Sequence, residues 1–232
     1  MKHWINDLSK NDIYNRLDDI LQEIENTTIK REVNILNRKF IQYANVFPVD
    51  KFEDTEFFSK AITVSPNEDF LEIGIGTGIT SVLAAINGAN VIGVDINSEA
   101  VLNSIENARL HNVENQTSFL TSDVFSNIEK NKFDTIYWNV PFCYSEIKEL
   151  SNIQNSVFSF QYKSLENFII DFPKYLKPNG RVLIGFSNFW GIPDKLIDFL
   201  FKSDYKTINI VARKKVHSHE MEWDLTLYEL KK

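Results

Sequence analysis

The sequence lacks the features that mark secreted and membrane proteins. Its 232 residues include one cysteine, Cys143, which excludes an internal disulfide and a metal site built from several cysteines, and fits a reducing compartment. No apolar run approaches the roughly 20 residues of a membrane-spanning helix. The polar start "MKHWINDLSKND" lacks the apolar core of a secretory signal. We therefore expect a soluble cytoplasmic protein without membrane contact.

An excess of positive charge is also missing. The chain has 25 Lys and Arg against 32 Asp and Glu, a net charge of -7. Phosphate contacts need clustered basic side chains, so this balance argues against a large nucleic-acid surface. No internal repeat or low-complexity segment is present, and 43% hydrophobic residues suit one globular domain with a sizeable core.

The first 45 residues have apolar positions at helical spacing. Ile13, Leu17, Ile20, Leu21 and Ile24 are followed by Val33, Leu36 and Phe40. This spacing predicts one or two amphipathic helices, an N-terminal helical extension over 1–45 ahead of a main domain over 46–232. The stretch "NVFPVDKFEDTEFF" then marks a loop, followed by a helix over about 54 to 64.

Short apolar runs alternate with helical segments from residue 69 onward. The runs are "FLEIG", "VIGVD", "TSFLTSD", "FDTIYWN", "RVLIGF", "YKTINIVAR" and "EWDLTLYEL". The alternation predicts an α/β fold with a Rossmann-like, doubly wound, seven-stranded and mainly parallel sheet. No helix separates the last two runs, which are expected to form an antiparallel C-terminal hairpin.

A glycine-rich turn follows the first of these runs. In "LEIGIGTG", Gly74, Gly76 and Gly78 would bring main-chain N–H groups close to a ligand; close packing of strand on helix would also explain them. The spacing does not match the G-x-G-x-x-G of dinucleotide sites, and Glu72 suits a cationic ligand better than a diphosphate. Asp95, at the end of "VIGVD", is placed to accept both hydroxyls of a ribose or, alternatively, to cap the next helix.

These motifs, with the helix "SEAVLNSIENARLHN", resemble the class I S-adenosylmethionine-dependent methyltransferases. The resemblance implies S-adenosyl-L-methionine as the cofactor, with the glycine loop under its methionine part, Asp95 on the ribose and Ile96 beside the adenine. In "LTSDVF", Asp123 would accept from the adenine amine, with Val124 next to the ring. The implied cofactor-binding residues are Glu72, Gly74, Gly76, Thr77, Gly78, Asp95, Ile96, Asp123, Val124 and Asn139.

The stretch "NVPF" resembles the N-P-P-Y/F motif of family members that methylate planar nitrogen. Asn139, Pro141 and Phe142 match and are the implied catalytic residues, whereas Val140 departs from the motif. The Asn139 side-chain carbonyl and the Val140 main-chain carbonyl could hold the hydrogens of the acceptor nitrogen. Phe142 could stack on a flat substrate. An ordinary strand exit with a packed phenylalanine is the alternative.

Two further segments are expected near the acceptor. "VFPVDKFEDTEFF" is similar to a P-x-T/D-T-E segment of release-factor glutamine methyltransferases at Asp54, Thr55 and Glu56, which implies contact over the cofactor, with Phe47 nearby and Thr55 toward the substrate. The long segment 143–164 should wall the acceptor site, unless it is a surface helix. Its aromatic residues are Tyr144, Phe158, Phe160 and Tyr162, of which Tyr144 is the predicted substrate contact.

Basic residues concentrate in "RKKVHSHEMEW". They could engage a carboxylate or phosphate of the substrate, or form a solvated hairpin tip. Two histidines would need a third ligand to hold a metal, and none is evident, so no metal site is predicted. The residues are Arg213, Lys214, Lys215, His217 and His219.

Together these patterns predict an S-adenosylmethionine-dependent N-methyltransferase. The expected acceptor is a protein amide or a small-molecule amine, with a nucleobase of RNA or DNA as the less favoured alternative. Two alternatives of other classes are a nicotinamide-dependent oxidoreductase and a catalytically silent binding module with the same fold. The sequence leaves the oligomeric state open.

Overall fold

The elements are taken from a computed structural model, which describes residues 2–27, 29–129, 132–203, 205, 207–218 and 221–231. The helices are α1 (Leu8–Thr27), α2 (Asp54–Ala61), α3 (Ile79–Ile86), α4 (Ser98–Leu110), α5 (Asn152–Asn155), α6 (Lys163–Asp171) and α7 (Pro193–Lys202). The strands are β1 (Arg31–Ile35), β2 (Arg38–Gln42), β3 (Asp69–Ile73), β4 (Asn90–Asp95), β5 (Thr117–Thr121), β6 (Phe133–Asn139), β7 (Cys143–Ser145), β8 (Phe158–Phe160), β9 (Leu176–Phe186), β10 (Thr207–Ser218) and β11 (Met221–Lys231).

The seven strands predicted from residue 69 onward form one sheet, in the order β10-β11-β9-β6-β3-β4-β5. Strands β9, β6, β3, β4 and β5 are parallel, and β11 is antiparallel to both β9 and β10. The predicted doubly wound sheet and C-terminal hairpin are confirmed. The chain order reverses between β6 and β3, and the carboxyl ends of strands at such a point are where open α/β sheets bind ligands.

The N-terminal region is only partly helical. Helix α1 agrees with the apolar spacing from Ile13 to Ile24, but the helical interpretation of Val33, Leu36 and Phe40 is wrong, because residues 31–42 form the antiparallel hairpin β1–β2. Its turn residues Leu36 and Asn37 have φ of 50° and 60°, the left-handed pair that a type I′ hairpin turn requires. The boundary between residues 45 and 46 stays a prediction.

Two buried asparagines of α4 hold this hairpin on the main domain. The Asn107 carbonyl accepts from Ile41 N at 2.7 Å, and its amide donates at 2.8 Å to both Ile41 O and Thr77 O. Asn103 accepts from Tyr43 N at 2.9 Å and donates to Ile41 O at 2.7 Å. Strand β2 is therefore joined through α4 to the glycine loop. None of the helices in the described part of the chain has the length and hydropathy needed to cross a bilayer.

Candidate active site

The glycine loop between β3 and α3 leaves room for a ligand at one of its three glycines. Gly74, Gly76 and Gly78 have φ of 67°, 53° and 76°, the left-handed region that glycine tolerates best. A β-carbon on Gly74 would lie 3.0 Å from Trp138 Nε1, and one on Gly78 would lie 2.6 Å from Ser104 Oγ. At Gly76 a β-carbon would meet no described atom within 4 Å. Packing therefore explains two of the glycines, whereas the third faces open space.

Asp95 faces this loop from the end of β4. Its Oδ2 accepts from Gly76 N and its Oδ1 from Asn97 N, each at 2.9 Å. Burial raises the pKa of Asp95, and these hydrogen bonds oppose the rise. The cap of α4 is Asn97, which accepts from Glu99 N at 3.0 Å, so Asp95 is free of the capping role. Each of its oxygens keeps a lone pair for a ligand hydroxyl.

A cleft with a volume of about 310 Å³ extends from this loop along the carboxyl ends of the strands. This volume lies within the range of small-molecule and cofactor sites. Thr55, Pro141, Phe158 and Phe160 also face the cleft. The predicted cofactor residues among its lining are Glu72, Gly74, Gly76, Thr77, Asp95, Ile96, Asp123, Val124 and Asn139.

The far end of the cleft combines an exposed apolar side chain with a strained turn. Ile96 is 64% exposed, a suitable surface for a flat ring. Val124 has a φ of 48°, which is unusual for a β-branched residue. The Ser122 hydroxyl holds this turn by donating to Val124 O at 3.0 Å. Such strain tends to persist where a binding site needs it.

At the other end of the cleft, the structure joins Asn139 to Asp54, a carboxylate for which the upstream motif implied only contact over the cofactor. Asn139 Nδ2 donates to Asp54 Oδ2 at 2.7 Å. The remaining oxygens, Asp54 Oδ1 and Asn139 Oδ1, are buried without a hydrogen-bond partner among the described residues. Burial raises the pKa of Asp54, and the bond from Asn139 opposes the rise. Nothing in "EDTE" showed that this carboxylate would be buried beside Asn139.

A second, smaller cavity adjoins this pair on the side away from the glycine loop. We call it the apolar pocket; its volume is about 40 Å³. Asp54 and Asn139 line both cavities and therefore stand where they meet. The other walls include the predicted Val140 and Phe142. The lining side chains are Leu17, Ile20, Phe47, Phe52, Asp54, Asn139, Val140, Phe142, Cys143, Ser156, Val157, Trp190 and Trp223.

Tyr144 and Tyr162, the two tyrosines of segment 143–164, pack next to the "NVPF" motif and do not line either cavity. Tyr144 is not among the described residues that line the cleft or the pocket; its ring packs edge-on against Tyr162 at 5.4 Å. The Tyr162 hydroxyl donates to Phe142 O and accepts from Ile192 N at 3.1 Å. Tyr162 therefore braces the "NVPF" turn. The segment contains β7, α5 and β8, and Glu56 from the upstream motif is exposed.

The basic residues near the C-terminal hairpin face acidic partners. Arg213, Lys214, Lys215 and His217 lie within β10, which ends at Ser218. These four residues are not among those that line the cleft or the apolar pocket. Arg213 pairs with Asp224 at 3.4 Å and Lys215 with Glu222 at 2.7 Å, while Lys214 pairs with Glu53. His219 lies outside the described residues. Within the described ranges, no group of three metal-ligating side chains occurs.

Comparison with known proteins decides the family. The family model described as methyltransferase small domain matches residues 37–217. The chain belongs to this methyltransferase family. Its cofactor is S-adenosyl-L-methionine, and the open space at Gly76, the free lone pairs of Asp95 and the cleft volume fit that molecule.

Two relatives show how far the similarity extends. A protein of Methanocaldococcus jannaschii, provisionally named a protein N5-glutamine methyltransferase, is 38% identical over 174 residues, which are 73% of this methyltransferase and 86% of the relative. A release factor glutamine methyltransferase of Fusobacterium nucleatum is 36% identical over 77 residues, 32% of this chain and 22% of the relative. The chain thus spans most of the first and about a fifth of the second.

A solved structure agrees in fold. The T. thermophilus 16S rRNA N2 G1207 methyltransferase, in complex with AdoMet and guanosine, superposes with a TM-score of 0.63 over 88% of this chain and 50% of its own. The two sequences are 17% identical, so the likeness concerns the fold alone.

Proposed function

We propose that this methyltransferase transfers a methyl group to a nitrogen that carries two hydrogens, in a side-chain amide or an amine. The observation that supports it is the pair of buried oxygens without partners, Asp54 Oδ1 and Asn139 Oδ1. Leaving a buried acceptor unpaired costs about 1–3 kcal/mol. An –NH2 group at the junction of the two cavities supplies both missing donors.

The two oxygens also explain how such a nitrogen becomes reactive. S-adenosylmethionine, when bound, supplies an electrophilic methyl group. Asp54 and Asn139 hold the nitrogen by its two hydrogens, which fixes the plane of the –NH2 group and turns the lone pair, which stands out of that plane, toward the cleft. After transfer the nitrogen carries a positive charge and releases a proton, and Asp54 Oδ1, which already accepts a hydrogen bond from that nitrogen, takes it. The hydrogen bond from Asn139 Nδ2 keeps the two oxygens in place.

Among acceptors, a protein glutamine has the best support. The M. jannaschii and F. nucleatum relatives are both named for glutamine methylation, and a glutamine amide carries the required –NH2 group. A small-molecule amine is the second candidate. A nucleobase has less support, because the net charge is -7 and the described basic residues of β10 have acidic neighbours.

The test compares methyl transfer by the natural chain and by Asn139→Ala. With methyl-labelled S-adenosylmethionine and N-acetylglutamine amide or propylamine as acceptor, we expect transfer by the variant to fall by about a hundredfold or more, the effect of losing one aligned polar group in an active site. Asn115→Ala, at an exposed asparagine, serves as the matched control. Equal transfer by Asn139→Ala, or no transfer by the natural chain to either acceptor, would contradict the proposal.

A further inference from the structure

Helix α1 contributes a wall of the apolar pocket. Leu17, which is 4% exposed, and the half-buried Ile20 line the pocket from one face of this helix. They are three residues apart, so they are neighbours on that face. Helix α1 ends at residue 27, before the part of the chain that the family model matches, residues 37–217. This wall is therefore an addition of the chain to the matched domain.

Polar contacts fix α1 against other walls of the same pocket. The Tyr14 hydroxyl donates to the main-chain carbonyl of Trp190 at 2.5 Å, and Lys10 Nζ donates to Phe189 O at 2.8 Å. In addition, Gln154 of α5 donates to Asp18. Trp190 lines the pocket itself. The helix is thus tied to the loop after β9 and to α5, and does not merely cover them.

The pocket is small and mainly apolar. A water needs about 10–15 Å³ of such space, and an engineered apolar cavity that binds benzene has about 150 Å³. The 40 Å³ of this pocket match about three heavy atoms, the size of a terminal carboxamide or of an amine with two methylenes. An aromatic ring does not fit beside Leu17 and Ile20.

We infer that α1 sets acceptor specificity, because Leu17 and Ile20 restrict the reaction to a nitrogen on a slender, unbranched stem and exclude ring-bearing acceptors. This inference rests on the proposed function for the position of the nitrogen. It assigns a role to the N-terminal helix that no motif indicated.

The experiment enlarges the pocket from the α1 side. The full chain, loaded with S-adenosylmethionine, is given pairs of acceptors that differ in the stem: propionamide with benzamide, and propylamine with benzylamine. Leu17→Ala and Ile20→Ala are compared with Leu8→Ala, at a residue of the same helix that is 77% exposed. Binding of each compound to the complex with S-adenosylhomocysteine is followed separately by ligand-observed NMR. Ile20 is half-buried, so its variant keeps the test available if Leu17→Ala does not fold.

We expect the natural chain and Leu8→Ala to prefer the slender compounds. In Leu17→Ala and Ile20→Ala, binding and methylation of the ring compounds relative to the slender ones should rise by roughly tenfold or more. Even one methylene in a pocket gives discrimination of this size. A ratio that stays within about twofold of the natural value in both binding and transfer would overturn the inference. If the enlarged variants bind the ring compounds more tightly, but neither they nor the natural chain transfer methyl groups, the role of α1 in restricting the pocket is supported and the proposed function is wrong.

Discussion

At the scale of single residues, a substitution at Gly76 tests ligand binding, and a control substitution shows how much of its effect comes from backbone strain. Any side chain there meets the strain of a φ of 53°, about 1–2 kcal/mol, and occupies the open space beside Asp95. We expect Gly76→Ala to weaken S-adenosylmethionine binding, measured by calorimetry, by about tenfold or more, or 1.4 kcal/mol.

The control is Gly88→Ala. Gly88 has a φ of 93°, and a β-carbon there would meet Pro66 at 3.3 Å, so it has the same conformational restriction without facing the cleft. Both variants should lose stability in urea unfolding, but the affinity for S-adenosylmethionine should fall in Gly76→Ala alone. Equal affinities in the two variants would show that the open space at Gly76 is not a ligand site.

Glu72 gives a prediction about pH. Burial raises the pKa of Glu72 from 4.5 to about 8, against the opposing bond from the Ser81 hydroxyl at 2.6 Å. Between these two pKa values the folded protein keeps a proton that the unfolded chain releases, so the free energy of unfolding falls as pH rises from about 4.5 to 8. Glu72→Gln has no such proton and should become more stable than the natural chain by a few kcal/mol across this window.

Urea unfolding at pH 5, 6.5 and 8 checks this prediction. Glu106→Gln is the control, because hydrogen bonds from Lys30 and Tyr43 lower the pKa of Glu106. The stabilising effect of this carboxylate is complete above its ordinary pKa and does not change between pH 5 and 8. The idea fails if Glu72→Gln and the natural chain lose stability in parallel between pH 5 and 8.

The residues that sequence reasoning identified are those whose role depends on the main chain or on a strand end. Gly76 and Asp95 occupy fixed places in a strand-loop-helix unit, so their spacing, together with the family resemblance, predicted a ligand site at this edge of the sheet. Asp54 was different: its role depends on burial beside Asn139, 85 positions away. Tyr144 is only two residues after the last residue of the motif, yet it packs against Tyr162, because the direction of a side chain after a turn depends on tertiary packing.

At the scale of elements, the attachment of the β1–β2 hairpin depends on Asn107. This side chain is fully buried and pairs main-chain groups of Ile41 and Thr77. In Asn107→Ala, Ile41 O keeps the bond from Asn103, but Ile41 N and Thr77 O lose this partner, at about 1–3 kcal/mol for each. We expect the free energy of unfolding to fall by several kcal/mol in a urea titration, against no more than about 0.5 kcal/mol for the exposed Asn115→Ala. Similar losses in both variants would contradict this attachment.

The same hairpin shows why the N-terminal elements were only partly predictable. Val33, Leu36 and Phe40 fall at spacings that fit a helix, but the buried residues of the two strands, Val33 with Ile35 and Phe40 with Gln42, alternate with more exposed ones. Strands of five residues offer too few alternations to exclude the helical pattern. In α1, 20 residues long, the period repeats often enough to be decisive.

At the scale of the whole molecule, the cleft gathers side chains from residues 46 to 164, and α1 reaches across to the adjoining pocket. The parallel order that creates this edge was predictable, because alternating strands and helices have few alternative arrangements. The contacts of α1 with the loop after β9 were not, since their partners are separated by more than 170 positions.

Because so much of the chain meets at the cleft, cofactor binding should stabilise the entire fold. At a hundredfold excess over its dissociation constant, a ligand adds about 2.7 kcal/mol, or roughly 5–10 °C in melting temperature for a domain of this size. We expect this shift in a thermal melt with S-adenosylmethionine or S-adenosylhomocysteine, a smaller one at the same concentration in Gly76→Ala, and none with NAD. An equal shift with NAD would mean that the cleft does not distinguish S-adenosylmethionine from a dinucleotide, and the expectation that Gly76 lies at the methionine end would then be wrong.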